Sequence, residues 1–509
     1  MKSFILARSQ WGNLYVHERK KGSVLLCNPI LHHLLKLHEE GTHIRTWIDR
    51  IGELPFELPG YGVVTKEDLE YYFKKFLFLS DKGFFSTPNP EGYLTDPITP
   101  EMVEYAIANS RQVTFEVTEK CGLQCKYCGY GNFYEADHSR GEENLDTGKA
   151  KRLLNFMADY WNSSLNVSHE KVIYISFYGG EPLLNIDFIT EIVNYCRTQL
   201  TPVHHPVEFS MTTNALLLER YMDFLVSNQF NLLISLDGNE ANNGYRVYKN
   251  GKPAFREIKR NIDALRKKYP DYFETRVNFN AVLHDKNSVP EIHEYITRTY
   301  GKIPRIGEIK NIGIKDTKQR DFMEIYNAIN KSLHEGSADS DVIKKEMFIK
   351  LPDVQQLSTF LLKYSGFVFE DYHHLFSSGE TQKPYPTGTC LPFSKKIFVT
   401  VSGELLPCET IVRRFVLGKV TDENVDLNFN EICETYNAYY NKLLDHCNGC
   451  YNKDACTACI FNLFLTDDMP VCSMQMNDRQ FSGYLAKMMG SFEKEPALYS
   501  RIMEEVIIE

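Results

Sequence analysis

At 509 residues, with 43% hydrophobic and 24% charged residues, the chain is long enough for about three domains and has the make-up of a globular protein. A formal net charge of -10 argues against a general nucleic-acid binder, no apolar run is long enough to cross a bilayer, and the start M-K-S-F-I-L-A-R-S-Q-W lacks a signal peptide's apolar core and cleavage site, so the expected setting is the cytoplasm, with neither nucleic acid nor membrane as partner. Thirteen cysteines in that setting point to metal ligation or redox chemistry, and ten of them fall in two clusters.

Residues 1–95 read as a module of their own. Residues 22–29 are a short apolar strand closed by a turn, and Leu31, Leu34, Leu35 and Leu37 follow at helical spacing. Further helices are expected over 43–51 and 66–78, the second with Leu69, Tyr72, Phe73 and Phe76 on one face. A strand followed by three helices is the order of a winged-helix-like fold. It resembles the peptide-recognition domain that captures leader peptides in ribosomal peptide maturation; a capping domain without a ligand is the competing reading. Cys27 is expected in that module's core. Pro88-Asn89-Pro90 and the Asp96 to Pro100 run form a proline-rich connector and a boundary.

From 110 to 315 strands and amphipathic helices alternate, with strands expected at 113–117, 172–177, 207–213, 232–237, 277–282 and 306–314. Helices over 146–161, with Leu153, Met157 and Trp161, and over 185–196, with Phe188, Ile189, Ile192 and Val193, separate them. Repeated strand–helix units imply a parallel α/β sheet with right-handed crossovers, here a partial (β/α)6 TIM-like barrel whose functional residues sit at the C-terminal strand ends. The first strand runs straight into Cys121, Cys125 and Cys128. Three thiolates on one tight loop leave an iron–sulfur cubane with an open iron, whereas a structural zinc site wants four ligands; the triplet alone also fits half of a zinc site. Cys196 shares a stripe with Ile192 and Val193 and reads as a packed core thiol.

C-x3-C-x2-C after strand one, with Tyr127 just before the third cysteine, looks like the signature of the radical S-adenosylmethionine (SAM) superfamily. The resemblance implies that Cys121, Cys125 and Cys128 hold a 4Fe-4S cluster whose open iron is chelated by SAM, and that one electron from the cluster breaks a SAM C–S bond to give a 5'-deoxyadenosyl radical. It also implies cofactor-binding roles at strand ends. Gly179-Gly180-Glu181-Pro182 after strand two matches the G-G-E-P motif that binds the methionine amino group, with glycines read as letting backbone approach the ligand. Thr213-Asn214 resembles the T-N-G segment with Ala215 in place of glycine. Ser235, Asp237 and Arg246 match part of S-x-D-G … R, near the SAM carboxylate and ribose; the H-D pair expected before the arginine is absent, and Asn242-Asn243-Gly244 stands there. A solvated helix-start cation is the other reading of Arg246.

Residues 316–385 read as a helical bridge, with the aromatic run 364–376 as a candidate channel cover. From 386 to 480 come Cys390, Cys408 with four residues between it and Gly403, then Cys447, Cys450, Cys456, Cys459 and Cys472; a helix is expected over 481–509. A zinc ribbon is one reading, but the pattern resembles the SPASM auxiliary-cluster domain, with two rather than three residues between Cys456 and Cys459. That resemblance implies one auxiliary 4Fe-4S cluster on Cys447, Cys450, Cys456 and Cys472 and another on Cys390, Cys408 and Cys459, three clusters in all. The fourth ligand of the last is not evident; Cys433 is a candidate but its setting also fits a core thiol. Glu409, directly after Cys408, is the candidate catalytic base, or alternatively a hydrogen-bonding partner of the cluster loop.

The whole pattern resembles a radical SAM/SPASM peptide maturase. It implies a genetically encoded precursor peptide as substrate, its leader bound by the N-terminal module, a flavodoxin- or ferredoxin-type reductant, and oxidative cross-linking as the reaction. A sulfatase-type maturase, a peptide epimerase and a multi-zinc adaptor are the alternatives.

Overall fold

The computed structural model describes residues 2–19, 22–51, 55–86, 97–134, 141–168, 171–200, 205–335, 340–364, 387–411, 413–463, 470–472 and 474–507. Pro88 to Asp96 of the connector and residues 365–376 of the aromatic run lie outside them.

The N-terminal part forms β1 (Phe4–Arg8), β2 (Leu14–Glu18), β3 (Ser23–Leu26), α1 (Pro29–Glu39), α2 (Ile44–Ile51), β4 (Phe56–Leu58), β5 (Gly62–Val64) and α3 (Lys66–Asp81). Of its strands, only β3 is legible in the sequence. The β1–β2 hairpin escapes because buried His17 and Glu18 break the apolar alternation. Helix starts are chemically marked: the Asn28 side chain accepts from the Ile30 N–H ahead of α1, and Thr65 and Asp68 form a capping box at α3. Phe4, Val16, Leu34, Ile48 and Leu69 close a local core that includes Cys27. The other face of the hairpin, Ile5, Ala7 and Tyr15, belongs to the main core of the molecule.

After α4 (Pro100–Ala108), six parallel strands follow: β6 (Gln112–Thr118), β7 (Ile173–Gly179), β8 (Val207–Thr213), β9 (Asn231–Ser235), β10 (Val277–Leu283) and β11 (Arg305–Glu308). They alternate with α5 (Thr147–Trp161), α6 (Ile186–Thr198), α7 (Leu218–Ser227), α8 (Phe255–Lys268), α9 (Pro270–Arg276) and α10 (Val289–Tyr300). β6 is buried from Val113 to Thr118, as a parallel strand covered on both faces must be. The last strand stops at Glu308 rather than running to residue 314. Among the described residues it pairs on one side only, and the chain beyond it bends back so that the Tyr134 hydroxyl donates to the Lys310 carbonyl at 2.6 Å.

Next come α11 (Gln319–Ile325), α12 (Ile329–Glu335), α13 (Ser340–Glu346) and α14 (Pro352–Tyr364), then β12 (Ile397–Val399), β13 (Glu404–Leu406), β14 (Gly418–Val420), β15 (Val425–Asp426), α15 (Phe429–Asn448), α16 (Ile460–Leu463), α17 (Asp478–Lys494) and α18 (Ala497–Ile502). β12 pairs in parallel with β6, and β13 to β15 add antiparallel, so the cysteine-rich segment continues the barrel sheet into a 10-stranded one. α17 lies across β1: Ser482 Oγ donates to the Leu6 carbonyl at 2.7 Å, and Trp11 Nε1 to that of Gly490 at 3.2 Å. The chain's two ends are thus packed together.

Candidate active site

A cavity of about 290 Å³ opens at the C-terminal ends of β6 to β10. Cys121, Cys125, Tyr127 and Cys128 line it from the loop after β6, Gly179, Gly180 and Glu181 from the end of β7, Thr213 and Asn214 from β8, Ser235 from β9, and Arg246 from the loop beyond. The cysteine loop is pinned from outside: Gln124 N–H donates to the Val247 carbonyl at 2.7 Å and Lys126 N–H to that of Tyr245 at 3.2 Å. The Cys121 sulfur accepts from Leu123 N–H at 3.4 Å and Asn214 Nδ2 at 3.6 Å. Burial pushes the Cys125 thiol up to about 12; the charges of Cys128 and Cys121 add to the rise, and Arg246 opposes it.

The two glycines at the end of β7 have a reason within the protein itself. A Cβ on Gly179 would meet the Thr118 carbonyl oxygen at 2.4 Å, and one on Gly180 the Lys120 carbonyl oxygen at 2.1 Å. What approaches closely is the backbone of the cysteine loop itself, held by Gly180 N–H to Thr118 at 2.7 Å and Glu181 N–H to Lys120 at 2.8 Å. Glu181, 2% exposed, accepts from the Thr213 hydroxyl and the Asn214 N–H, both at 2.7 Å. Its carboxylate therefore ties the ends of β7 and β8 together as well as lining the cavity. Pro182 opens the 3-10 turn Pro182–Asn185 behind it and is not among the lining residues. Ala215 takes φ 63, the left-handed conformation that a glycine would hold without strain, and Asn261 Nδ2 fastens its carbonyl at 3.0 Å.

Arg246 is no solvated cation. It is 6% exposed and paired with fully buried Asp237 through Nε at 3.0 Å and Nη2 at 2.8 Å. The Tyr127 hydroxyl donates to the same carboxylate, as does Val282 N–H at 3.0 Å, and His284 Nε2 stands 3.8 Å away. Burial alone would raise the Asp237 carboxyl; the Arg246 charge, the nearby His284 imidazole and the hydrogen bonds from Arg246 and Tyr127 outweigh it and hold it at about 2. Asp237 thus sits beneath the cavity wall and fixes Arg246 and Tyr127 within it. The Asn243 side chain, in the stretch where the H-D pair is missing, accepts from Asp237 N–H at 3.1 Å. A His-Asp pair does occur at the end of β10: His284 stacks on Tyr127 at 5.5 Å, and Asp285 accepts from the Tyr245 hydroxyl at 2.8 Å.

The later cysteines fall in two places. Cys447, Cys450, Cys456 and Cys472 line one small cavity with His446, and burial, with the charges of Cys456, Cys450 and Cys472, pushes the Cys447 thiol up to about 12. Cys390 and Cys408 stand near Cys459, whose thiol is raised by burial first and by both of their charges in addition. Cys433 is buried in the main core, where Glu101 of α4 is the charge that acts on it, which is the setting of a core thiol. Among the described residues no three His, Cys, Asp or Glu side chains converge on a single metal ion. Glu409 and Thr410 reach the first cavity, with Lys396 Nζ donating to both Glu409 oxygens at 3.1 Å.

Residues 115–298, holding all of this up to His284, match the family model of the radical SAM superfamily. That stretch, rather than the whole chain, is similar to a radical SAM domain. An uncharacterized protein of Methanocaldococcus jannaschii is 24% identical over 315 residues, covering 62% of this chain and 90% of that one. A cysteine-type anaerobic sulfatase-maturating enzyme of Clostridium novyi is 31% identical over 171 residues, covering 33% of this chain and only 43% of that relative. Among solved structures, native anSMEcpe with bound AdoMet superposes with a TM-score of 0.51 at 18% identity over 77% of this chain and 99% of that one, and its complex with AdoMet and a peptide scores 0.50. At that identity the likeness is one of fold.

The radical SAM domain implies SAM and a 4Fe-4S cluster, and the residues present fit them: three thiols, a hydrogen bond to the Cys121 sulfur and a buried cation share one cavity at the strand ends. Tyr130, Tyr178, Thr212, Asn280, Val282 and Lys310 also line it and were not selected from the sequence. Asn280 and Val282 carry no motif beyond their place at the end of a strand. Cys27 and Cys196, expected as packed thiols, are pushed up to about 12 by burial. Among the described residues no helix is long and apolar enough to cross a membrane.

Proposed function

We propose that the chain is a radical SAM enzyme that modifies a ribosomally made precursor peptide by oxidative cross-linking. The reading assigns the SAM-binding cluster to Cys121, Cys125 and Cys128, one auxiliary cluster to Cys447, Cys450, Cys456 and Cys472, and another to Cys390, Cys408 and Cys459. The observation that carries it is a single cavity faced by the first three cysteines, the ends of β7 to β9, and Glu409 from the second cysteine region. When bound, the cluster and SAM supply a radical able to take hydrogen from an unactivated carbon.

The chain's residues orient and complete that chemistry. Arg246, fixed by Asp237, offers a buried cation to the SAM carboxylate, and Ser235 and Asn214 offer hydrogen-bonding groups beside it. Glu409, steadied by Lys396, accepts the proton released when the oxidised substrate forms its new bond. The leader is read by the N-terminal part, where among the described residues β3 pairs only with β2 and presents exposed Leu25 and Leu26, an edge suited to an added peptide strand. Electrons come from a flavodoxin- or ferredoxin-type protein.

The likeness to a sulfatase-maturating enzyme favours a second reading, formylglycine formation, in which Glu409 has the same task. Co-expression with short peptides encoded beside the gene, followed by tandem mass spectrometry and an aldehyde-reactive probe, separates them: loss of two hydrogens with no aldehyde supports cross-linking, an aldehyde at a former Cys or Ser supports the second reading, and unchanged mass with altered stereochemistry supports an epimerase. Glu409→Gln is expected to lower product formation by about 10²-fold or more while 5'-deoxyadenosine release continues. A colourless, zinc-loaded protein would instead support a multi-zinc adaptor.

A further inference from the structure

α15 runs past both groups of later cysteines. Its inward stripe carries Ile432, Cys433, Tyr436, Tyr440 and Leu443, and at its end comes Cys447. Tyr436 is fully buried, with its ring against Phe461 at 5.3 Å and Tyr440 at 6.3 Å. Among the described residues its hydroxyl has no hydrogen-bond partner. Phenylalanine would fill the same space without burying an unpaired donor, which folding disfavours. The hydroxyl therefore needs a partner that the described protein atoms do not supply. Besides Tyr440, the charges that act on it are those of Cys459, Cys390 and Cys408, the group for which no fourth protein ligand is evident. The neighbourhood is tightly built: Ile460 N–H donates to the Thr389 hydroxyl at 2.8 Å, joining the segments that carry Cys459 and Cys390.

Resting on the auxiliary-cluster reading above, we propose that Tyr436 donates its hydroxyl hydrogen bond to a sulfur of the iron–sulfur group held by Cys390, Cys408 and Cys459, and so raises that group's reduction potential. Hydrogen bonds to cluster sulfurs stabilise the more negative, reduced form, and a donor in a dry core acts strongly. Tyr436 stays protonated throughout; no proton is exchanged.

The test uses the full chain, loaded anaerobically, in a background with Cys121, Cys125 and Cys128 replaced by Ala so that only auxiliary signals remain. In Tyr436→Phe the iron content is expected to match the parent at about eight per chain, as two cubanes require. One of the two auxiliary electron paramagnetic resonance signals is expected to titrate at a more negative potential and to lose an exchangeable-deuteron coupling. Tyr436→Leu, equally unable to donate, serves if the Phe variant does not fold. Unmoved potentials and couplings in an iron-replete variant overturn the inference alone, and loss of about four irons overturns it by making Tyr436 a ligand. A parent without iron removes the auxiliary-cluster reading and the inference together.

Discussion

Asp237 makes no contact that its position in a strand-end motif announces, yet it is the residue on which Arg246 and Tyr127 converge. Its folded carboxyl, at about 2, lies below the ordinary 3.8, so its ionised form contributes stability above pH 4 that is lost as pH falls toward 2. The contribution is roughly 2 kcal/mol. Asp237→Asn is expected to strand the buried guanidinium and cost about 3–5 kcal/mol at neutral pH, and to flatten the acid limb of a thermal-melt series between pH 2 and 4. An unchanged acid limb would contradict the role given to the carboxylate. At this scale the sequence was legible where chemistry is local and illegible where it is tertiary. Cys121, Cys125 and Cys128 announced themselves by spacing, whereas the burial of Arg246 and the stacking of His284 on Tyr127 depend on β9 and β10 lying side by side.

Elements were legible in proportion to their periodicity. β8 begins and ends where its apolar alternation does, and α5 and α6 were found within two residues of their ends. The β1–β2 hairpin was hidden by its buried His17 and Glu18, and β11 was overextended because the apolar Ile309 and Ile314 lie beyond it, one in a small core beside the cysteine loop and the other packed against it. The turn after β7 shows how an element sets a site: Gly179 and Gly180 let it press on the Thr118–Lys120 backbone and so place Glu181 against β8. Gly180→Ala, whose Cβ would stand 2.1 Å from a carbonyl oxygen, is expected to cost about 1–3 kcal/mol and to weaken iron incorporation. A melting temperature and iron content equal to the parent's would sink this account of the turn.

Across the whole molecule the barrel and the cysteine-rich region are one sheet, and a buried ion cluster crosses their seam. Arg413 Nη2 donates to both Glu116 oxygens, at 2.9 and 3.0 Å, and Nη1 to Glu119 at 3.3 Å, while Val401 N–H donates to Glu116 at 3.1 Å. Burial pushes the Glu116 carboxyl up, and Arg413 is the main force opposing it. Arg413→Ala is expected to destabilise the chain by about 3 kcal/mol, more at pH 8 than at pH 5, because protonation of Glu116 relieves an unpaired buried charge. Equal losses at both pH values in denaturant melts would contradict that origin. This seam joins parts 297 residues apart, a coupling that no local pattern discloses.

In the proposed function the cavity at the ends of β6 to β10 generates radicals. Anaerobically purified full chain, given SAM and a strong reductant, is expected to release 5'-deoxyadenosine. Replacing Cys121, Cys125 and Cys128 together by Ala is expected to abolish that release while the iron bound by the remaining cysteines persists. Release undiminished in the triple variant, or none from an iron-replete parent, would contradict the account.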